Sequence, residues 1–286
     1  MNTQVGTTLV IGGRGKTGGR VASRLARRGD QVRTASRSSE PPFDWLDQAT
    51  WRRALEGADS LYVTFQPDLA IPVAPDAIRA LTALALELGV RHMVLLSGRG
   101  EPEAQHCEDI LRDSGVPWTI LRCSWFAQNF SESFFLDGLI DGHLVLPASD
   151  IGEPFIDVED IADAAVTTLT EDGHVGQLYE LTGPRLLSFA DAVAEIARAA
   201  GRVIRFSQVA ADEHAAALAA HQVPADVIAL VTYLFSEVLD GRNAWVNDGV
   251  QQVLGRPARD FSDYVRKTAA TGVWSVLSQA VGLEAR

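Results

Sequence analysis

The chain has 286 residues, 47% of them hydrophobic and 22% charged, enough for one substantial core or a domain with a smaller appendage. Its formal net charge of -12 argues against a nucleic-acid partner, because phosphate binding needs a basic face. No apolar run approaches the roughly 18 residues of a membrane span. The two cysteines, Cys107 and Cys123, make neither a disulfide framework nor a four-ligand zinc site and suit a reducing compartment. The expectation is a cytoplasmic protein that takes a small molecule and binds neither nucleic acid nor membrane.

The opening stretch lacks a basic n-region, and its apolar run from Thr7 to Ile11 stops at glycine, so it reads as a buried strand and not a signal peptide. A glycine-rich turn follows, then an amphipathic helix through Val21–Ala26 that ends near Gly29. Gln31 to Ala35 is a second strand, broken by the Ser/Arg/Pro-rich segment Ser36 to Pro42. Ser60 to Phe65 is a third strand, and Pro75 to Leu88 a helix closed by Gly89. His92 to Leu96 is a strand, Pro102 to Ser114 a helix opened by proline and closed by Gly115, and Trp118 to Arg122 a strand. Strands alternating with helices predict βαβ units and a parallel sheet, an α/β Rossmann-like doubly wound fold.

The rhythm changes after about Asp137. Gly142 to Leu146, Pro154 to Ile156 and Leu178 to Leu181 are short strand candidates, with a helix over Val158 to Leu169. Helical patterns follow at 189–200, 210–221, 224–239 and 260–269. The expected division is a nucleotide-binding domain over 1–150, with 157–182 returning to it, and a smaller helix-rich substrate domain over 183–286. His214 and His221 lie seven residues apart without a third ligand nearby, so no metal site is expected.

The segment Gly12-Gly13-Arg14-Gly15-Lys16-Thr17-Gly18-Gly19 carries the chemistry. Gly15-Lys16-Thr17 resembles the tail of a P-loop, but Val10 stands where that motif needs its first glycine. Gly12-x-x-Gly15-x-x-Gly18 instead reads as a dinucleotide turn between strand and helix, where glycine lets backbone approach a pyrophosphate. An NAD site wants an acidic residue about 20 residues beyond the glycines; this chain has Ser36-Arg37-Ser38. A carboxylate would repel a 2′-phosphate, whereas the Arg37 guanidinium, with Arg14, can bind one through charge-assisted hydrogen bonds, so NADP(H) is the expected cofactor. Lys16 and Thr17 complete the loop's side of the site.

The only lysines are Lys16 and Lys267, and the residues four beyond the tyrosines are Gln66, Gly183, Glu237 and Thr268. The Tyr-x-x-x-Lys proton donor of many short-chain dehydrogenases is therefore missing from the sequence.

With these residues in view, the chain resembles the NmrA-like atypical short-chain dehydrogenases, and within them the ergot alkaloid reductases, the festuclavine synthases and agroclavine dehydrogenases. The resemblance is carried by Gly12 to Thr17, Ala35 to Ser39 (ASRSS), Phe43 to Thr50 (FDWLDQAT) and Val94 to Ser97. Trp125-Phe126 with Asn129 to Glu132, and Asp157 to Ala162, extend it along nearly the whole chain. Gly18-Gly19 and Cys123 depart from the family's pattern, and the segment after Phe65 is shorter. The resemblance implies an NADPH-dependent imine or iminium reductase in secondary, alkaloid-like metabolism. The alternatives are an NADP(H)-sensing regulator without catalysis and a quinone, dye or ketone reductase on the same scaffold.

An iminium ion already carries its positive charge, so hydride transfer leaves no anion to stabilise and positioning can suffice. The expected site lies outside the C-terminal ends of the strands, at Phe65 and Gln66, Ser97 and Gly98, and Cys123. Trp125, Phe126, Phe130 and Phe155 are the candidate slot for a flat cation. His106 is the candidate donor should the substrate need a proton, and Ser97 could orient nicotinamide or substrate. Monomer and homodimer both remain open.

Overall fold

The computed structural model describes residues 6–275 and divides the chain into two compact units. The first holds the chain up to Ser124, Val158–Thr182 and Asn247–Pro257; the second holds Trp125–Asp157, Gly183–Val246 and the chain from Ala258. Residues 125–150, expected with the sheet, thus pack in the second unit, and 247–257, expected in the cap, pack in the first. The reason lies in contacts distant in sequence: Thr182 and Asn247 exchange hydrogen bonds, and Arg256 pairs with Asp160 and Asp163 at 2.7 Å.

The first unit is built on six parallel strands in the order β2-β1-β3-β4-β5-β7. These are β1 (Thr8–Ile11), β2 (Val32–Ala35), β3 (Ser60–Val63), β4 (His92–Gly98), β5 (Trp118–Cys123) and β7 (Gln177–Leu181). β1 is buried along its whole length, as a strand covered on both faces must be. One face carries α1 (Gly18–Arg28) and α6 (Val158–Thr170), joined by Arg20 and Arg24 to Glu159 and by Arg24 to Asp163. Packed in one core with the strands' other side chains are α2 (Trp51–Leu55), α3 (Ala74–Glu87) and α4 (Pro102–Asp113). α10 (Gly249–Leu254) comes back late in the chain; Gly249 lies so near the Glu180 carbonyl that an added Cβ would be 2.1 Å from it. Sheet order reverses at β1, so the crevice of the fold lies at the C-terminal ends of β1 and β3.

The second unit contains α5 (Phe135–Asp141), β6 (His143–Leu146), α7 (Phe189–Ala200), β8 (Arg205–Gln208), α8 (Ala211–Ala220), α9 (Ala225–Tyr233) and α11 (Phe261–Ala269). β6 and β8 form a two-stranded parallel sheet. Phe130 is fully buried at the centre of an aromatic core, with Phe135, Phe155, Phe189 and Phe261 rings 5.4–5.8 Å away. The Phe130 carbonyl accepts from the Trp274 indole at 2.8 Å.

The strand expected at Pro154–Ile156 is limited to isolated bridges, Phe126 with Ile156 and Glu153 with Leu187. The helix expected over 224–239 widens after Tyr233 into a π-turn at Leu234–Val238. Three α-helices and one strand were not expected. α2, α5 and α10 are five to seven residues long, too short to show a period. β8 has no fully buried residue and is held by its ladder to β6, where His143 bonds Ser207 at 2.8 Å.

Two outcomes follow from this packing. Phe130→Ala should cost about 3–5 kcal/mol in urea unfolding and Phe130→Leu under about 1.5; equal small losses would show that the ring does not organise that core. At the start of β4, His92 Nε2 bonds Thr119 at 2.8 Å, and burial, reinforced by the charge of His174, lowers its imidazole to about 4. The unfolded chain then binds this proton more readily, so stability is complete above about 6.5 and falls as pH drops toward 4. His92→Asn should lessen that loss, read as urea midpoints at pH 7 and 4.5.

Candidate active site

The turn after β1 is shaped by glycine where no other residue fits. Gly12 has φ of 78°, and an added Cβ would lie 2.0 Å from the Thr64 hydroxyl oxygen. A Cβ on Gly18 would lie 2.3 Å from the Gly12 carbonyl oxygen, so the first helical residue packs directly on the turn. The Gly12 amide donates to the Ala35 carbonyl at 3.0 Å, tying the turn to the end of β2. Thr17 is buried at the start of α1 but makes no side-chain cap, and the helix has no acidic residue in its first turn. Its positive end is unopposed by any carboxylate of its own first turn, as an anion site requires.

Beside the turn is a cavity of about 590 Å³. Gly12, Arg14 and Gly15 line it from the loop, and Ser36, Arg37 and Ser38 from the end of β2. Phe43 to Leu46 form another side, and Gln66 and Pro67 come from the segment after β3. Ser39 closes the Ser36 turn on itself: its hydroxyl accepts from the Ser36 amide at 2.9 Å and donates to the Ser36 carbonyl at 2.8 Å. Arg37 is left exposed at the tip. Neither Arg37 nor Arg14 makes an ion pair among the described residues. Trp45 stands on Phe65 with centroids 4.6 Å apart and donates its indole N–H to the Thr64 carbonyl at 3.2 Å. A glycine turn, a helix start without acid and two uncompensated guanidiniums fit a phosphorylated dinucleotide.

The other expected residues are placed as follows. Lys16 is half-buried, its carbonyl accepting from Arg20 at 2.8 Å. Phe65 is buried under Trp45, while Gln66 reaches the cavity. Ser97 is buried and donates to Glu108 Oε1 at 2.7 Å. Glu108, fully buried, also accepts from Arg122 Nε at 2.9 Å, and Arg122 bonds Glu180 at 3.0 Å, so Ser97 belongs to a charged network. Cys123 is buried and its thiol pushed far up by burial, which leaves it uncharged. His106 is exposed, whereas Ala104, Cys107, Glu108 and Leu111 are the buried residues of α4.

The four aromatic candidates all lie in the second unit. Phe130 and Phe155 are committed to its core, 5.4 Å from each other. Trp125 and Phe126 are half-buried, Trp125 packing on Phe189 and Phe235. The sequence reading of the cofactor site missed Phe43, Asp44, Trp45 and Leu46 as lining residues, although FDWLDQAT had carried part of the resemblance.

An NAD(P)H-binding family pattern matches residues 12–172. Agroclavine dehydrogenase of Claviceps fusiformis is 34% identical over 91% of this chain and 96% of that protein. Festuclavine synthase II of Penicillium roqueforti is 31% identical over 90% and 96% respectively. The chain is a member of the NAD(P)H-binding family. A solved NADPH-dependent quinone oxidoreductase (QOR2) from Escherichia coli, complexed with NADPH, shares the fold. Its TM-score is 0.78 at 21% identity, over 91% of this chain and 99% of that one.

NAD(P)H is the cofactor of this chain, an NAD(P)H-dependent oxidoreductase. The turn offers a direct test of how closely backbone must pack there. Gly18→Ala should weaken NADPH and NADH alike by at least about tenfold, some 1.4 kcal/mol. Gly19→Ala, whose Cβ meets nothing nearer than 3.4 Å, should leave both within about twofold and stabilise α1 by up to about 1 kcal/mol. Equal titrations for the two variants would contradict this packing.

Proposed function

We propose that this chain is an NADPH-dependent reductase of a cyclic C=N compound, an imine or iminium, in small-molecule, alkaloid-like biosynthesis. The observation that carries the acceptor class is the end-to-end similarity to agroclavine dehydrogenase and festuclavine synthase II. The sequence supports it by lacking a lysine four residues after any tyrosine, the pair that serves ketone reduction elsewhere. Bound NADPH supplies a hydride; the chain's part is to hold the nucleotide, align an electron-poor carbon with it and exclude water that would hydrolyse the acceptor.

The choice of NADPH rests on Arg14 and Arg37. Both line the cavity at the end of β2, and neither has a counter-ion among the described residues. No carboxylate stands at Ser36, Arg37 or Ser38 to accept from ribose hydroxyls. A 2′-phosphate would meet two guanidiniums able to bind it through paired donors.

The test is turnover of a panel comprising a cyclic imine, an N-alkyl iminium, a quinone and an azo dye, with each nucleotide. C=N acceptors should be reduced with kcat/KM at least about tenfold higher for NADPH than NADH, a difference of some 1.4 kcal/mol. Arg37→Ala should remove most of that preference by weakening NADPH. His106→Ala should stay within about twofold on an iminium, since no proton is required. Reduction of the quinone or dye alone would replace the acceptor class, and nucleotide binding without turnover of any acceptor would favour a sensing role.

A further inference from the structure

Two carboxyl groups of the first unit stand at the C-terminal edge of the sheet and have no part in the nucleotide cavity. Glu101 occupies the N-cap position of α4 but does not cap it. Its side chain folds back over the last residue of β4: a Cβ built on Gly98 would lie 2.2–2.3 Å from the Glu101 carboxyl atoms. Glu101 is 7% exposed, and its Oε2 has no hydrogen-bond partner. Asp68, on the segment after β3, is half-buried; its Oδ1 accepts from the Ala70 amide at 2.9 Å, and its carboxyl lies close enough to that of Glu101 for each to act on the other's ionisation.

Two neighbouring carboxyl groups, one of them buried with an oxygen that lacks a partner, are held together best by a proton between them, because an ionised pair offers acceptors alone and repels. Burial first, then the charge of Asp68, with Glu103 and Glu108 beyond, opposes ionisation of Glu101. Burial also holds Asp68 above the usual carboxylate range. Cys107, on the buried face of α4, adds no charge, its thiol being pushed up to about 12. One proton shared by the pair would relieve both their repulsion and the buried oxygen that has no partner. The adjacent helix N-terminus tolerates the one negative charge that remains.

Position gives this proton a use. Gln66 and Pro67 line the nucleotide cavity, and Asp68 is the next residue. β3 is paired with β1, and β4 with β3. A dinucleotide whose pyrophosphate sits at the β1 turn extends across the ends of these strands. The carboxyl pair thus lies toward the reacting end.

We infer that Asp68 and Glu101 are the proton donor of this reductase, and that its substrate enters as a neutral, protonatable imine. This rests on the C=N reading above. Asp68, the accessible member, is the catalytic residue, and Glu101 is a positioning residue that shares and restores the proton. The Asp68 O–H bond breaks as the imine nitrogen lone pair forms N–H, giving an iminium. Hydride from NADPH then forms the new C–H bond, and the C=N π electrons return to nitrogen as a lone pair. The substrate is reduced to the amine and NADPH oxidised to NADP⁺. The two carboxylates left together repel, and the pair regains one proton from solvent.

The experiment compares 1-pyrroline with its N-methylated, permanently charged counterpart in the full chain with NADPH. Asp68→Asn should lower kcat/KM for the protonatable imine at least about 100-fold, yet stay within about threefold on the N-methyl iminium. Glu101→Gln should lose less on the imine, and the fall of rate at high pH should move to lower pH. Equal losses on both substrates, or no loss on the imine, would overturn the donor role. If the wild-type chain reduces neither, the C=N reading fails; the pair is then judged by infrared spectroscopy. The carbonyl stretch of a protonated carboxylic acid should be present at pH 7 and lost in Glu101→Gln. Its absence from the wild-type chain would overturn the shared proton.

Discussion

Positive charge left uncompensated in an acidic protein is the constraint on which this site depends. The chain carries 37 acidic and 25 basic residues, and arginines such as Arg20, Arg24, Arg122 and Arg256 are held by carboxylates. Among the described residues, Arg14 and Arg37 are not. Parallel pairing sets Ile11 opposite Ala35, so the loops leaving β1 and β2 emerge side by side and bring both guanidiniums to one cavity. The start of α1, with no acid in its first turn, adds its partial positive charge. Two exposed cations without partners repel each other and gain nothing for folding; a phosphate is what makes their proximity favourable.

A second set of charges fixes the other end of the crevice. Register aligns Gly98, Cys123 and Leu181 at the ends of β4, β5 and β7. Glu108, Arg122 and Glu180 link these strands to α4, with Arg99 reaching Glu180 at 3.3 Å and Ser97 donating to Glu108. Removing one member of such a buried set would strand the others without partners, a cost of several kcal/mol. The network therefore specifies geometry, and it claims Ser97 for positioning.

The parallel sheet was readable because strands buried on both faces are continuous apolar runs and the helices between them carry their own stops. The glycine turn and Arg37 were readable because their roles are local, set by backbone space and by charge after β2. Much of the remainder was not local. β8 exists through its partner β6 and not through its own pattern, and α10 joins the first unit through contacts with β7 and α6. Phe130 and Phe155 showed the composition of an aromatic slot but pack into a core, since spacing alone does not distinguish the two. Asp68 and Glu101 stand in different crossovers, and only the pairing of β3 with β4 brings them together. The reading that an iminium reductase dispenses with an internal proton source is thereby narrowed: it describes the hydride step, while the acid pair offers a way to make the iminium in place.

If the cavity beside the glycine turn selects a 2′-phosphate through charge, the preference must show in binding alone. Calorimetric titration of the chain with adenosine 2′,5′-bisphosphate and with adenosine 5′-monophosphate, at low and high salt, tests it without any acceptor substrate. The bisphosphate should bind at least about tenfold tighter, with the gap narrowing as salt screens the guanidiniums. Equal affinity for the two nucleotides, or a gap that salt does not change, would contradict the account.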